Sequence, residues 1–163
     1  MSGDREFAVL FPILNRLGEE CVLLTKRTTR LVHYSGQVSF PGGAREEDDA
    51  DLKDTALREA QEEIGLARSS VEIFEELRWF RTGLGHRVKP FVGRVQTPVD
   101  LTLNPAEVER LLYVPLAVVK SDPFSTRGEL NDGRPIYTFD FEGDEIWGLT
   151  ARILRHYFVD RGV

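Results

Sequence analysis

The chain is poor in the residues that staple, anchor or cross a boundary. It has one cysteine, Cys21, so no internal disulfide can form, and a reducing cytoplasm is the expected compartment. Cys21 lies within the apolar run Cys21-Val22-Leu23-Leu24 and reads as a small strand residue, since no neighbouring base marks it as a nucleophile. No apolar stretch approaches the ~20 residues of a membrane span, and the polar start Met-Ser-Gly-Asp-Arg-Glu lacks the apolar core of a signal peptide. No membrane partner is expected. Basic charge is also short: 21 Lys and Arg stand against 27 Asp and Glu, a net charge of −6. That balance argues against a nucleic-acid partner, which calls for a basic stripe. There is no Walker glycine loop, no paired CxxC and no HExxH. Gly83-Leu84-Gly85 lacks the third glycine of a dinucleotide fingerprint and reads as a turn.

What remains is 163 residues, 41% hydrophobic and 29% charged, enough for one compact domain spanning 1–163. Alternation and breakers predict strands at 6–14 and 20–27 joined as a hairpin, and a short strand at 37–40 stopped by Pro41-Gly42-Gly43. A helix is expected from about 52 or 54 to 64, with Gly65 as its left-handed cap. Two strands follow at 71–80 and 87–95. Asn104-Pro105 is read as starting a short helix continued through 107–112, with another helical turn at 115–120. Asn131-Asp132-Gly133 predicts a hairpin turn before a strand at 135–141, and 146–159 is read as a terminal helix. The expected class is α/β (α+β), a mixed sheet between helices.

The informative stretch is 42–66, GGAREEDDADLKDTALREAQEEIGL. On a helix, Leu57, Ala60 and Ile64 fall on a core-facing stripe. Glu59, Glu62 and Glu63 cluster on another face at i, i+3, i+4. Like charges at that spacing cost an isolated helix ~0.2–0.5 kcal/mol per pair, and they sit near the helix C-terminus, where the macrodipole favours cations. Local rules broken in one direction point to a functional site. A bound divalent cation reverses the sign of each penalty, and carboxylates are the hard ligands that Mg²⁺ or Mn²⁺ prefers. Arg58 can pair with Glu62 at i, i+4, and the Pro41-Gly42-Gly43 turn lets backbone approach metal or phosphate closely.

This array resembles the Nudix box: a glycine, an acidic loop, then Arg58-Glu59-Ala60-Gln61-Glu62-Glu63-Ile64-Gly65. The resemblance covers about 43–66. It implies an α/β/α sandwich whose loop–helix–loop binds divalent metal and a diphosphate linkage. It implies Glu59, Glu62 and Glu63 as metal ligands, with Arg58 orienting them. One position departs from the pattern: the glutamate expected eight residues before the arginine is Ala50, and the nearest acid, Asp49, requires one extra loop residue.

The flanks resemble one branch, the coenzyme A pyrophosphatases. The resemblance runs through Leu23-Leu24-Thr25-Lys26-Arg27, Leu31, His33, Gly36-Gln37-Val38-Ser39-Phe40 and Pro41-Gly42-Gly43. It continues in Asn104-Pro105-Ala106-Glu107-Val108, Val114-Pro115-Leu116 and Ile146-Trp147-Gly148-Leu149-Thr150-Ala151. That branch uses the longer acidic loop. Lys26, Arg27, Arg30 and His33 cluster before the box in an otherwise acidic chain, as phosphate groups require. The alternatives are ordinary strand-end charges and, for His33, a hydrogen-bonded structural role. With Gln37, Gly42 and Gly43 they form the expected substrate-binding set. Arg81 and Lys89 are weaker candidates for the same rim. Glu107 is either a fourth carboxylate for metal or water, or a residue favoured at a helix start. Trp147 is read as packing the last helix rather than stacking a base. The resemblance implies hydrolysis of coenzyme A or its derivatives to 3′,5′-ADP and 4′-phosphopantetheine; a monomer or homodimer is expected, with no sequence signal between them. Other nucleoside diphosphate derivatives (ADP-ribose, NADH) and a noncatalytic binding protein are the alternatives.

Overall fold

A computed structural model describes residues 5–31 and 34–161. The frame is set by β1 (Glu6–Arg16) and β2 (Glu19–Arg27), an antiparallel pair in register from Ile13↔Val22 to Arg16↔Glu19. Two short strands follow, β3 (Val38–Ser39) on β2 and β4 (Gly42–Ala44) on β1. The segment Pro41-Gly42-Gly43 is therefore not only a breaker. Gly42 and Gly43 pair with Val9 and Ala8 of β1. A side chain at Gly42 would stand 2.4 Å from the Ala8 carbonyl oxygen, so only glycine fits there.

Helix α1 (Leu52–Ile64) leads to a 3-10 turn and then to β5 (Val71–Glu76), β6 (Phe80–Arg81) and β7 (Arg87–Val95). Strand β7 lies parallel to β1 from Glu6↔Arg87 to Ile13↔Arg94, and antiparallel to β5. Next come β8 (Val108–Pro115) and α2 (Leu116–Lys120). A second sheet, β9 (Ser125–Glu129), β10 (Pro135–Phe141) and β11 (Asp144–Trp147), has β10 at its centre. Helix α3 (Leu149–Arg155) ends in a wide turn, His156–Asp160.

Each face of the large sheet carries helix. Ala8, Leu10 and Leu14 of β1, with Leu23 and Phe91, meet Ala56, Ala60 and Ile64 of α1. Phe11 and Ile13, with Val22, Leu24 and Val92, meet Val119 of α2 and Ala151, Ile153 and Leu154 of α3. Ile64 is fully buried, which contributes ~1.5–3 kcal/mol relative to exposure. The buried stripe of α1 runs through Ala56 rather than Leu57, which is half-buried. None of the described helices is long and apolar enough to cross a membrane.

Two helices expected from sequence are corrected. Residues 108–115 form β8, paired with β2 from Cys21↔Pro115 to Arg27↔Val108. Asn104 does turn the chain, its Oδ1 accepting the Ala106 N–H at 3.1 Å and its carbonyl the Val108 N–H at 2.9 Å. The turn stops there because Val108, Leu112 and Val114 are buried in the sheet, and that gain exceeds a weak helix propensity. Residues 144–147 form β11, because Glu142 (φ 49°) and Gly143 (φ 84°) close a two-residue hairpin. Ile146 is buried opposite Phe139, and Gly148 at φ 73° separates the strand from α3.

Candidate active site

The site begins where the acidic loop enters α1. Asp51 caps the helix, accepting the Asp54 N–H at 2.8 Å, and Asp54 returns the contact by accepting the Ala50 N–H at 3.0 Å. At the other end the Gly65 N–H donates to the Gln61 carbonyl and the Leu66 N–H to the Ala60 carbonyl, with Gly65 at φ 70°. This paired closure is the expected glycine cap.

Asp49, the acid nearest the one departure from the box pattern, is buried. Its carboxylate accepts from Arg58 Nε (2.7 Å) and Nη2 (3.0 Å), the Glu46 N–H (2.9 Å) and the Thr55 hydroxyl (2.8 Å). Arg58 therefore holds it far below the usual carboxylate range, against the opposing effect of burial. The same guanidinium donates to the Ala44 carbonyl (3.2 Å), to Glu59 Oε1 (3.1 Å) and to Glu62 Oε2 (3.2 Å). One cation thus ties the loop, β4 and two box glutamates together.

Glu59 and Glu63 face a cavity of about 560 Å³ whose lining also includes Arg27, Gln37, Gly42, Gly43 and Glu107. Burial pushes Glu63 up to about 8, with Glu59 and Glu107 adding repulsion and Arg27 opposing it. Burial also raises Glu59 to about 7, against the pull of Arg58. Gly43 makes room for this carboxylate, since a Cβ there would stand 2.6 Å from Glu59 Cδ. Glu107 accepts from Asn104 Nδ2 at 3.2 Å, so the turn before β8 delivers its carboxylate to the cavity.

The remaining candidates divide. Arg27 lines the cavity, and its buried Nε has no hydrogen-bond partner. Glu62 is paired with Arg58, its side chain 54% exposed, and does not line the cavity. Lys26 is turned to Asp144 (2.9 Å) and Glu109 (3.5 Å). Arg30 is exposed and outside the lining, and His33 lies outside the described residues. Lys89 pairs with Glu76 at 3.2 Å, and Arg81 donates to the Gly85 carbonyl at 2.8 Å. Trp147 sits on β11 rather than a helix, lining the cavity with the Arg127 guanidinium 4.5 Å from its ring. Tyr34, His86 and Arg152 join the wall unannounced by any local pattern. They come from segments far apart in sequence, and only tertiary folding gathers them.

The donor set suits a hard divalent cation: crowded carboxylates, a close backbone and no sulfur ligand. Among the described residues no three acidic, histidine or cysteine side chains already enclose such an ion.

The Nudix domain family profile matches residues 4–134. Uncharacterized Nudix hydrolases NudL of Yersinia pestis and Yersinia pseudotuberculosis are each 39% identical over 158 residues, covering 94% of this chain and 78% of theirs. Among solved structures, an Ap4A hydrolase of C. elegans superimposes with a TM-score of 0.58 at 20% identity, covering 72% of this chain and 84% of that one. The Nudix domain of Shewanella oneidensis NrtR, crystallised with ADP ribose, gives 0.56 at 18% identity, covering 74% and 79%. The sandwich is the Nudix fold. The chain belongs to the Nudix hydrolase family.

Proposed function

We propose that this chain hydrolyses the pyrophosphate bond of coenzyme A or its derivatives, with Mg²⁺ or Mn²⁺, to 3′,5′-ADP and 4′-phosphopantetheine. The observation that carries the hydrolytic reading is the wall where half-buried Glu59 and buried Glu63 stand beside Gly42, Gly43 and Arg27. The metal, held by Glu59 and Glu63 with Glu107 near, would neutralise phosphate oxygens and acidify a bound water. Arg27 contributes a fixed donor to the diphosphate, its buried Nε otherwise unsatisfied. Glu62 acts at one remove, fixing Arg58, while Arg58 holds Glu59 in place. A cavity walled by Phe7, Val9, Phe40 and Trp147 accepts the base or the pantetheine arm by apolar contact. The choice of coenzyme A rests on the flanking motifs, among which Arg27, Gln37, Glu107 and Trp147 meet in one cavity.

Initial rates on coenzyme A, ADP-ribose and NADH under one metal condition test the substrate class. The largest kcat/KM is expected for coenzyme A. Preferred turnover of ADP-ribose or NADH would keep the hydrolytic site and reject the coenzyme A reading.

A further inference from the structure

A second cationic group lines the same cavity as the glutamates. Arg152, on α3, donates from Nη2 to the Arg81 carbonyl in β6. Its Nε is buried and has no hydrogen-bond partner. The guanidinium lies 5.9 Å from the Phe80 ring, with Arg78 over the same ring at 3.9 Å. Burial pushes Arg152 down to about 10, and the positive charges of Arg134 and Arg78 add to the effect against Asp132. Beside burial, the charges acting on Glu59 are Arg58, Glu62 and Glu107, and those acting on Glu63 are Glu59, Glu107 and Arg27. The charges that act on Arg152 and on the two glutamates thus come from different residues, and Val9, Phe40, Val88 and Leu149 line the same wall.

A half-buried guanidinium whose buried Nε has no partner, with like charges near it, is unfavourable until an anion arrives. Its planar fork matches a phosphate. We propose that Arg152 is a specificity-determining residue that binds a phosphomonoester on the substrate's sugar, apart from the diphosphate that is cut. This rests on reading the cavity as the seat of a nucleoside diphosphate derivative. The 3′-phosphate of coenzyme A and the 2′-phosphate of NADPH share the required chemistry.

The test compares each phosphorylated compound with its counterpart: coenzyme A with 3′-dephospho-coenzyme A, and NADPH with NADH. Wild type should favour the phosphorylated member of the pair it cleaves. Arg152→Met should lower kcat/KM for that member by roughly 10–100-fold, mainly through KM, as expected for a lost charge-assisted contact. The dephosphorylated member should fall far less, so the ratio collapses, and Arg152→Lys should restore part of it. Calorimetric affinity for 3′,5′-ADP against 5′-AMP gives a readout independent of turnover, with the same expected loss in Arg152→Met. Equal losses on both members, or a wild type indifferent to the phosphate in rate and affinity, would overturn the assignment. If Arg152→Met does not fold, Arg152→Lys and the wild-type comparisons still decide. Arg152-dependent discrimination on NADPH alone would keep this site while rejecting coenzyme A as substrate.

Discussion

Arg58 donates through Nε and Nη2 to the two carboxylate oxygens of Asp49, at 2.7 and 3.0 Å. The pair clamps the acidic loop onto the helix that carries the box glutamates. The extra loop residue therefore has a physical role: it brings an aspartate within reach of the arginine that orients Glu59 and Glu62.

Asp49→Ala should lower stability by about 3 kcal/mol, because Arg58 would lose its buried partner. Denaturant unfolding measures this. Asp49 lies below its ordinary value in the folded state. Its contribution is therefore fully present above the unfolded carboxylate value of ~3.9 and fades as pH falls below it toward the folded value. The gap between wild type and Asp49→Asn should hold above about pH 4 and narrow as pH falls below it. Identical stability of wild type and Asp49→Ala would remove the clamp from the account.

The glutamates should not be equivalent. Glu59→Gln and Glu63→Gln should each lower kcat by about 10²–10⁴-fold with the fold retained. Glu62→Gln should cost less than about tenfold, as an exposed carboxylate whose visible role is one ion pair. Steady-state kinetics with circular dichroism settles the order, and a loss at Glu62 matching that at Glu63 would return Glu62 to the metal-holding set.

Metal and pH should couple through Glu59 and Glu63. Both carboxylates are raised in the fold, to about 7 and about 8. The folded state thus holds more protons than the unfolded state above ~4.3. Metal-free stability should fall as pH rises from there through about 8. The decline should be shallower in Glu63→Gln. Millimolar Mg²⁺ should raise the melting temperature more at about pH 8.5 than at about pH 5.5, since the ion needs the charged form. A Mg²⁺ shift independent of pH would separate the metal from these two groups.

Two adjacent glycines should fail differently. A Cβ at Gly43 meets the movable end of Glu59, so Gly43→Ala should cut activity more than about tenfold at nearly unchanged stability. A Cβ at Gly42 meets Ala8 carbonyl and Val9 Cα, backbone that cannot move aside. Gly42→Ala should lower stability by about 1–3 kcal/mol. Thermal melts beside rate assays distinguish them, and a reversal of the two outcomes would contradict the packing described.

The box helix was legible because its signals are local: it runs over 52–64 and Gly65 closes it in the left-handed conformation, as the sequence leads one to expect. The β1–β2 hairpin and β10 were legible for the same reason. Strand β8 was not, because its helix-like start at Asn104-Pro105 is overridden by pairing with β2, a contact made far away in sequence. Strand β9 is exposed throughout and has no apolar alternation to read. Of the candidate residues, Glu59, Glu63, Glu107, Arg27, Gln37, Gly42 and Gly43 line one cavity, whereas Glu62 does not. Lys26 carries the same charge as Arg27, but its side chain is directed to Asp144, a partner that appears only when β11 folds against β3 and β2.

The most direct test of the central claim is product analysis after incubating coenzyme A with the protein, with and without Mg²⁺. Metal-dependent release of 3′,5′-ADP and 4′-phosphopantetheine is expected, abolished in Glu63→Gln. Coenzyme A left intact under conditions where another nucleoside diphosphate derivative is cut would contradict the substrate assignment, and silence on every diphosphate would contradict hydrolysis itself.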